Sequence, residues 1–271
     1  MSIVVLILGL AAAGVAAGLL AGLLGIGGGI VVVPALYTLF GVLGVDPAVR
    51  MPLAVGTSLS TIIVTAIRSA RAHHAKGAVD TGILRSWIPW IVVGVVIGAL
   101  VARYAPQGAM QVVFAVVALA VAAYMTFTPE GTRIADGLPT GPVRWIVATA
   151  IGGISSVMGI GGGTLTVPTL KLSNYPMHRA VGTGAAVGLM IAVPATLGLM
   201  AAGWGAANLP VGSVGFVNLL GFVVLAPITG FFAPIGARLA HRIPERALRF
   251  AFAAFLLATS LRMFQSVLQA A

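Results

Sequence analysis

Two glycine clusters carry the residues whose types and spacing point to chemistry in this chain. Gly25-Ile26-Gly27-Gly28-Gly29 runs into Val33-Pro34 and Leu36, and Gly159-Ile160-Gly161-Gly162-Gly163 runs into Val167-Pro168 and Leu170, 134 positions later. Each cluster interrupts a long apolar run. Glycine loses the most backbone entropy on ordering and admits positive φ, while proline removes a donor and clashes with the preceding turn, so a helix is expected to stop at each cluster. The helix that restarts presents free N–H groups and a partial positive charge, which suit an anion. Gly27, Gly28, Gly29, Gly161, Gly162 and Gly163 are therefore the candidate substrate-binding backbone. Thr57 and Ser58 of Ala54-Val55-Gly56-Thr57-Ser58, and Thr183 of Ala180-Val181-Gly182-Thr183, would add hydroxyl donors. The competing reading is that small residues let helices approach closely. It is preferred for isolated glycines such as Gly94 and Gly98, and Gly94→Ala is expected to be tolerated.

Other polar residues have narrower uses. Arg50 and Arg179 stand at equivalent points of two Pro-x-x-Arg elements, Pro47 to Arg50 and Pro176 to Arg179, and either attract an anion at an entrance or cap a helix end. Asp80 and its counterpart Asn218 are candidates for coupling, although capping of the segment that begins near Thr81 is the preferred role of Asp80. His73-His74 lacks a third ligand nearby and reads as part of a solvated loop, so no metal site and no cofactor are expected. There is no cysteine and no Gly-x-x-x-x-Gly-Lys-Ser/Thr phosphate loop. The five carboxylates fall at segment ends or in loops, with no acid–base pair inside an apolar run, which speaks against an embedded enzyme. A channel would need a polar-faced helix or a carboxylate ring, and neither is present. A secondary transporter of a small anion is the reading that remains.

The elements that position these residues must lie in a lipid bilayer. With 59% hydrophobic residues, 7% charged residues and a mean hydropathy of +1.11, the composition is that of an all-α integral membrane protein of a cell (inner) membrane. The net charge of +10 is assigned to basic cytoplasmic loops rather than to nucleic acid. Met1 to Leu24 reads as a retained first segment with its N-terminus outside. Ile30 to Val42 is too short to cross alone, so the first glycine cluster sits in a re-entrant hairpin or a broken span. Met51 to Ile67, Trp87 to Ala102 and Ala109 to Phe127 follow as apolar segments, with Trp87, Trp90 and Trp145 near span ends.

Landmarks recur in one order, including Ala54-Val55-Gly56-Thr57 with Ala180-Val181-Gly182-Thr183 and Gly98-Ala99 with Gly236-Ala237. They divide the chain into a first membrane repeat (1–127), a linker (128–142) and a second repeat (143–271). Arg68 to Arg85 is basic where its counterpart Ala201 to Ser213 is uncharged, and the bias reverses between Arg103 to Gly108 and Arg238 to Arg249. Equivalent loops then lie on opposite sides, the signature of inverted-topology repeats.

The paired Gly-Ile-Gly-Gly-Gly elements with their Val-Pro, the two Ala-Val-Gly-Thr elements, Gly77-Ala78-Val79-Asp80 and Pro234-Ile235-Gly236-Ala237-Arg238-Leu239-Ala240 resemble the TauE/SafE sulfite exporter family, also called toluene-sulfonate uptake permeases. The resemblance covers nearly the whole chain and implies transport of sulfite, sulfonates or related organosulfur anions by alternating access. Two departures, Gly184 where the first copy has Ser58 and Asn218 where it has Asp80, argue against a symmetric site.

Overall fold

In a computed structural model of the chain, residues 3–24, 28–106, 108–128, 132–240 and 245–268 are described. Among them are ten helices: α1 (Ile3–Leu24), α2 (Gly29–Val42), α3 (Pro47–Ala75), α4 (Thr81–Tyr104), α5 (Ala109–Phe127), α6 (Gly141–Met158), α7 (Gly163–Leu172), α8 (Met177–Ala202), α9 (Leu219–Ala240) and α10 (Glu245–Leu268). Six of them are long and apolar enough to cross a membrane, and the chain is an all-α integral membrane protein. The one β element among the described residues is a two-rung hairpin, β1 (Ser213–Val214) with β2 (Val217–Asn218), which the sequence reading does not anticipate.

Helix ends follow from local chemistry. Pro47 occupies the first turn of α3, where its missing N–H is no loss, and the Asp46 carboxylate accepts from Ala48 N at 2.9 Å. Asp80 starts α4 in the same way, accepting from Gly82 N at 2.8 Å and Ile83 N at 3.1 Å. Gly28, at φ 74°, precedes α2, and Gly159, at φ 68°, closes α6. Both adopt a left-handed conformation that a β-carbon would strain. Pro34 and Pro168 lie inside α2 and α7, and the helices restart at Gly29 and Gly163. The basic stretch from Arg68 is no loop for most of its length. It forms the last turns of α3, with His73 and His74 in the final turn.

Small residues set the packing directions. α4 runs parallel to α6, with Trp90 stacked on Trp145 at 4.9 Å and Gly94 and Gly98 against Gly153 and Ser156. α1 runs parallel to α9 through Gly14 on Ile228, Gly18 on Thr229 and Leu19 on Gly236. A β-carbon on Gly94 would lie 2.6 Å from Gly153 N and closer still to the Thr149 carbonyl. Gly94→Ala is therefore not the tolerated change expected from the sequence, because the neighbour is backbone and cannot yield. α5 and α10 pack antiparallel, Gly108 lying beside Val267 while Ser260 Oγ donates to Ala115 O at 2.8 Å. α3 and α8 fill the centre, with Leu53, Val55, Leu59, Val187, Ile191 and Ala192 fully buried or nearly so. Trp87 is also buried, at 1% exposure, so it belongs to the core and not to the membrane interface.

Candidate functional site

The chain reverses direction at each glycine cluster. Gly9 of α1 lies against Leu39 of α2, and the segment preceding α6 meets the end of α7 through Ile134 N to Leu172 O at 2.9 Å. The two reversals then touch. A β-carbon on Gly29 would collide with the Gly159 carbonyl and come within 2.9 Å of Ile160 Cα. The start of α2 is thus seated directly on the end of α6 and the turn that leads into α7. A β-carbon on Gly159 would in turn lie 2.7 Å from Val33 Cγ2 and 2.9 Å from Val55 Cα.

Of the expected binding residues, Gly27 lies outside the described residues, as do Gly25 and Ile26. Gly28, Gly29, Gly161, Gly162 and Gly163 are all buried. First-turn N–H groups of a helix have no partner within the helix; here Val31 N turns to Gly28 O at 3.0 Å and Thr164 N to Gly161 O at 3.2 Å. Gly162 has φ −55°, so positive φ is not its reason for being glycine. Its reason is space, since a β-carbon there would sit 2.6 Å from Gly188 N of α8.

The hydroxyls have a role the sequence did not disclose. Ser58 Oγ donates its hydrogen to Gly159 O at 2.8 Å, which pins α3 to the second reversal and uses the donor assigned to an anion. Thr57 Oγ1 accepts from Asn218 N at 2.9 Å, and Thr183 Oγ1 accepts from Asp80 N at 3.0 Å. Thr57 and Thr183 are both fully buried. Thr57 therefore holds the residue that precedes α9, and Thr183 the residue that precedes α4. The glycines before them match, Gly56 lying against Phe216 and Gly182 against Ala78. Asn218 Oδ1 completes the parallel by accepting from Gly221 N at 2.8 Å.

Beyond those shared contacts the two ends differ. The Asp80 carboxylate accepts from Tyr175 Oη and pairs with Arg179 Nη2 at 3.1 Å. The Tyr175 hydrogen bond above all, with those of Ile83 and Gly82 and the Arg179 charge, holds Asp80 below the ordinary carboxylate range. Burial, then the bond to Asp80, pushes Tyr175 up to about 12. Arg50 makes no such pair. Its Nε and Nη2 donate to Val45 O at 3.2 and 2.7 Å, closing the turn between α2 and α3, and its guanidinium lies over the Tyr37 ring. Arg50 and Arg179 thus both bond within the chain, but among the described residues only Arg179 of the two pairs with a carboxylate. Asp80 takes the capping role expected of it, with the tyrosine and arginine contacts added.

The second reversal is also more polar than the first. Ser155, Ser156, Thr164 and Thr166 are buried around it, where the first copy has Ala21, Gly22, Ile30 and Val32. The Oγ of Ser155 and the Oγ1 of Thr166 have no hydrogen-bond partner. The substitution of hydroxyl residues for aliphatic ones between the copies was the available signal.

The family description "Sulfite exporter TauE/SafE" matches residues 10–263. The chain belongs to this family. A probable membrane transporter protein of Haemophilus influenzae is 31% identical over 251 residues, covering 93% of this chain and 95% of that protein. Probable membrane transporter proteins of Methanocaldococcus jannaschii and Bacillus subtilis are each 26% identical, covering 86% and 87% of this chain and 85% and 89% of their own lengths. No solved structure gives a significant match. Membership in the TauE/SafE family makes the chain a membrane transporter and not an enzyme, as the resemblance of its motifs implied.

Proposed function

We propose that this TauE/SafE protein is a secondary transporter of small sulfur oxyanions, sulfite or an organosulfonate, working by alternating access around the junction of the two glycine reversals. The observation that carries the reading is the seating of Gly29 on Gly159 and Ile160. It gathers two helix starts, each with a partial positive charge, into a buried region of the kind that binds anions in broken-helix transporters. The unpartnered Ser155 and Thr166 hydroxyls supply donors from the second half. Thr57, Ser58 and Thr183 act as clamps that fix the two reversals and helix starts relative to one another.

Inverted repeats account for the rest. α5 and α10, the fifth helices of the two halves, pack antiparallel, and the Thr57–Asn218 and Thr183–Asp80 bonds are exchanged when the halves are exchanged. Helices α2 and α7, of 14 and 10 residues, extend roughly 21 and 15 Å at 1.5 Å per residue. Both fall short of a ~30 Å hydrocarbon core, as re-entrant segments do. Of the 15 Lys and Arg residues, Arg50, Arg103 and Arg262 lie at one end of the bundle, and the others lie at or near the α3–α4, α5–α6, α7–α8 and α9–α10 connections. By the positive-inside rule those four connections face the cytoplasm across the cell (inner) membrane.

The test is flux into proteoliposomes with sulfite, sulfonates, sulfate and amino acids, with and without a proton gradient. Saturable uptake of sulfite or a sulfonate is expected. Flux of a cation or a neutral sugar alone would overturn the anion reading.

A further inference from the structure

A second cationic site lies away from the glycine junction, at the far end of α2. A cleft of about 580 Å³ opens there between the last turns of α2, the start of α3 and the end of α10, lined among others by Tyr37, Thr38, Arg50, Arg262, Gln265 and Ser266. The twelve residue-to-residue steps from Gly29 to Gly41 put it roughly 18 Å from the junction at 1.5 Å per residue of helix. Two guanidinium groups line it and no carboxylate does. Among the described residues neither Arg50 nor Arg262 has a carboxylate within ion-pair distance. The nearby Asp46 carboxylate is directed elsewhere, accepting from Ala48 N and from Asn208 Nδ2 at 2.7 Å.

Arg50 is held in place before any ligand arrives. Two of its nitrogens are bonded to Val45 O and its plane lies 5.5 Å from the Tyr37 centroid, so a third nitrogen, Nη1, keeps a fixed position near Gly41. A pre-set guanidinium loses little freedom on meeting an oxyanion and matches its paired oxygens. Thr38, Gln265 and Ser266 add polar groups, whereas Val42, Pro47 and the Tyr37 ring offer an apolar wall. The volume lies within the roughly 300–1,000 Å³ typical of small-molecule sites, far beyond what a bare inorganic anion would fill. We infer that this cleft binds an organic oxyanion, its sulfonate or phosphonate head between Arg50 and Arg262 and its apolar body against Tyr37 and Pro47. The site is independent of the central junction.

The same chemistry is carried by free solutes and by the headgroup of an anionic lipid, and the inference commits to the free solute. The chain contains no cysteine, so Ser266→Cys places a single thiol at the cleft. In detergent-purified protein, benzenesulfonate is expected to slow alkylation of that thiol several-fold and saturably, while the neutral benzenesulfonamide and an equal ionic strength of sodium chloride leave the rate unchanged. Adding Arg262→Gln should raise the half-protecting concentration about tenfold or more, the loss expected for one charge-assisted hydrogen bond. Because the readout is the cleft thiol and not flux, it stands even if the central junction proves to bind nothing. Equal protection by the sulfonamide, or none by the sulfonate, would overturn the inference. Protection by phosphatidylglycerol mixed micelles but not by benzenesulfonate would overturn it as well, in favour of a lipid site.

Discussion

Replacing Gly29 by alanine adds one methyl group at the point where the two reversals meet. The new carbon would lie 2.9 Å from Ile160 Cα and 2.8 Å from Ile62 Cδ1, and closer still to the Gly159 carbonyl. The isoleucine tip can swing away, but the carbonyl cannot, because its backbone is held by Ser58 Oγ at 2.8 Å and by the left-handed turn at Gly159. Ordinary contact begins near 3.4 Å, so α2 must retreat from α6 by about half an ångström or more. Overpacking of this kind costs about 1–3 kcal/mol, and an approximately 1 Å displacement of binding groups can cost about 100-fold in activity. Gly44→Ala is the matched control. Gly44 has φ 74° with nothing within 4 Å of a new β-carbon, so alanine there costs about 1–2 kcal/mol of backbone strain and displaces no neighbour. Thermal unfolding in detergent and sulfite flux in proteoliposomes are measured on both variants. Comparable destabilisation is expected, with flux lost only in Gly29→Ala. Wild-type flux in a folded Gly29→Ala protein, or equal loss in Gly44→Ala, would refute the argument that the seating of the two reversals forms the site.

Thr57→Val and Thr183→Val each leave a backbone N–H without its acceptor, at Asn218 and Asp80 respectively. Each should lower stability by about 1–3 kcal/mol in denaturant unfolding, and no change in either would remove their role as clamps. Thr166→Val removes a buried hydroxyl that has no partner, so stability should hold while sulfite affinity falls; unchanged affinity would free Thr166 of any substrate role. Asp80 is held below its ordinary 3.8, so its stabilisation is present above that value and lost as pH falls through the lowered pKa. Tyr175 is raised from 10.0 to about 12, so its stabilisation is full below pH 10 and lost as pH rises through 12. Asp80→Asn should flatten the acid limb of the unfolding profile and Tyr175→Phe the alkaline limb, and an unaltered profile in both would contradict the assigned contacts. Finally, His74→Cys and Gly205→Cys should react with an impermeant maleimide from opposite faces of the membrane, and labelling from one face would refute the inverted arrangement.

The sequence by itself determined the environment, the family and the place of the helix interruptions. Apolar composition is a property of the whole chain, and glycine clusters such as Gly159 to Gly163 act through local backbone freedom, so neither depends on what packs nearby. Asp80 as a cap was legible for the same reason, since its partners Gly82 and Ile83 are its sequence neighbours. Tertiary structure alone decided what each side chain faces. Gly94 and Gly162 look alike in sequence to any small residue, yet backbone from α6 and α8 fixes both as glycine. Ser58 and Thr57 carry hydroxyls whose partners the local sequence does not give; Ser58 donates to Gly159 O, 101 residues away, and Thr57 accepts from Asn218 N, 161 residues away. Arg50 and Arg179 stand at equivalent points of two Pro-x-x-Arg elements, but among the described residues only the second meets a carboxylate, because Asp80 reaches it from 99 residues away in the chain. Local chemistry is written in short spacings, whereas the pairing of long-range donors with acceptors is settled only when the helices pack.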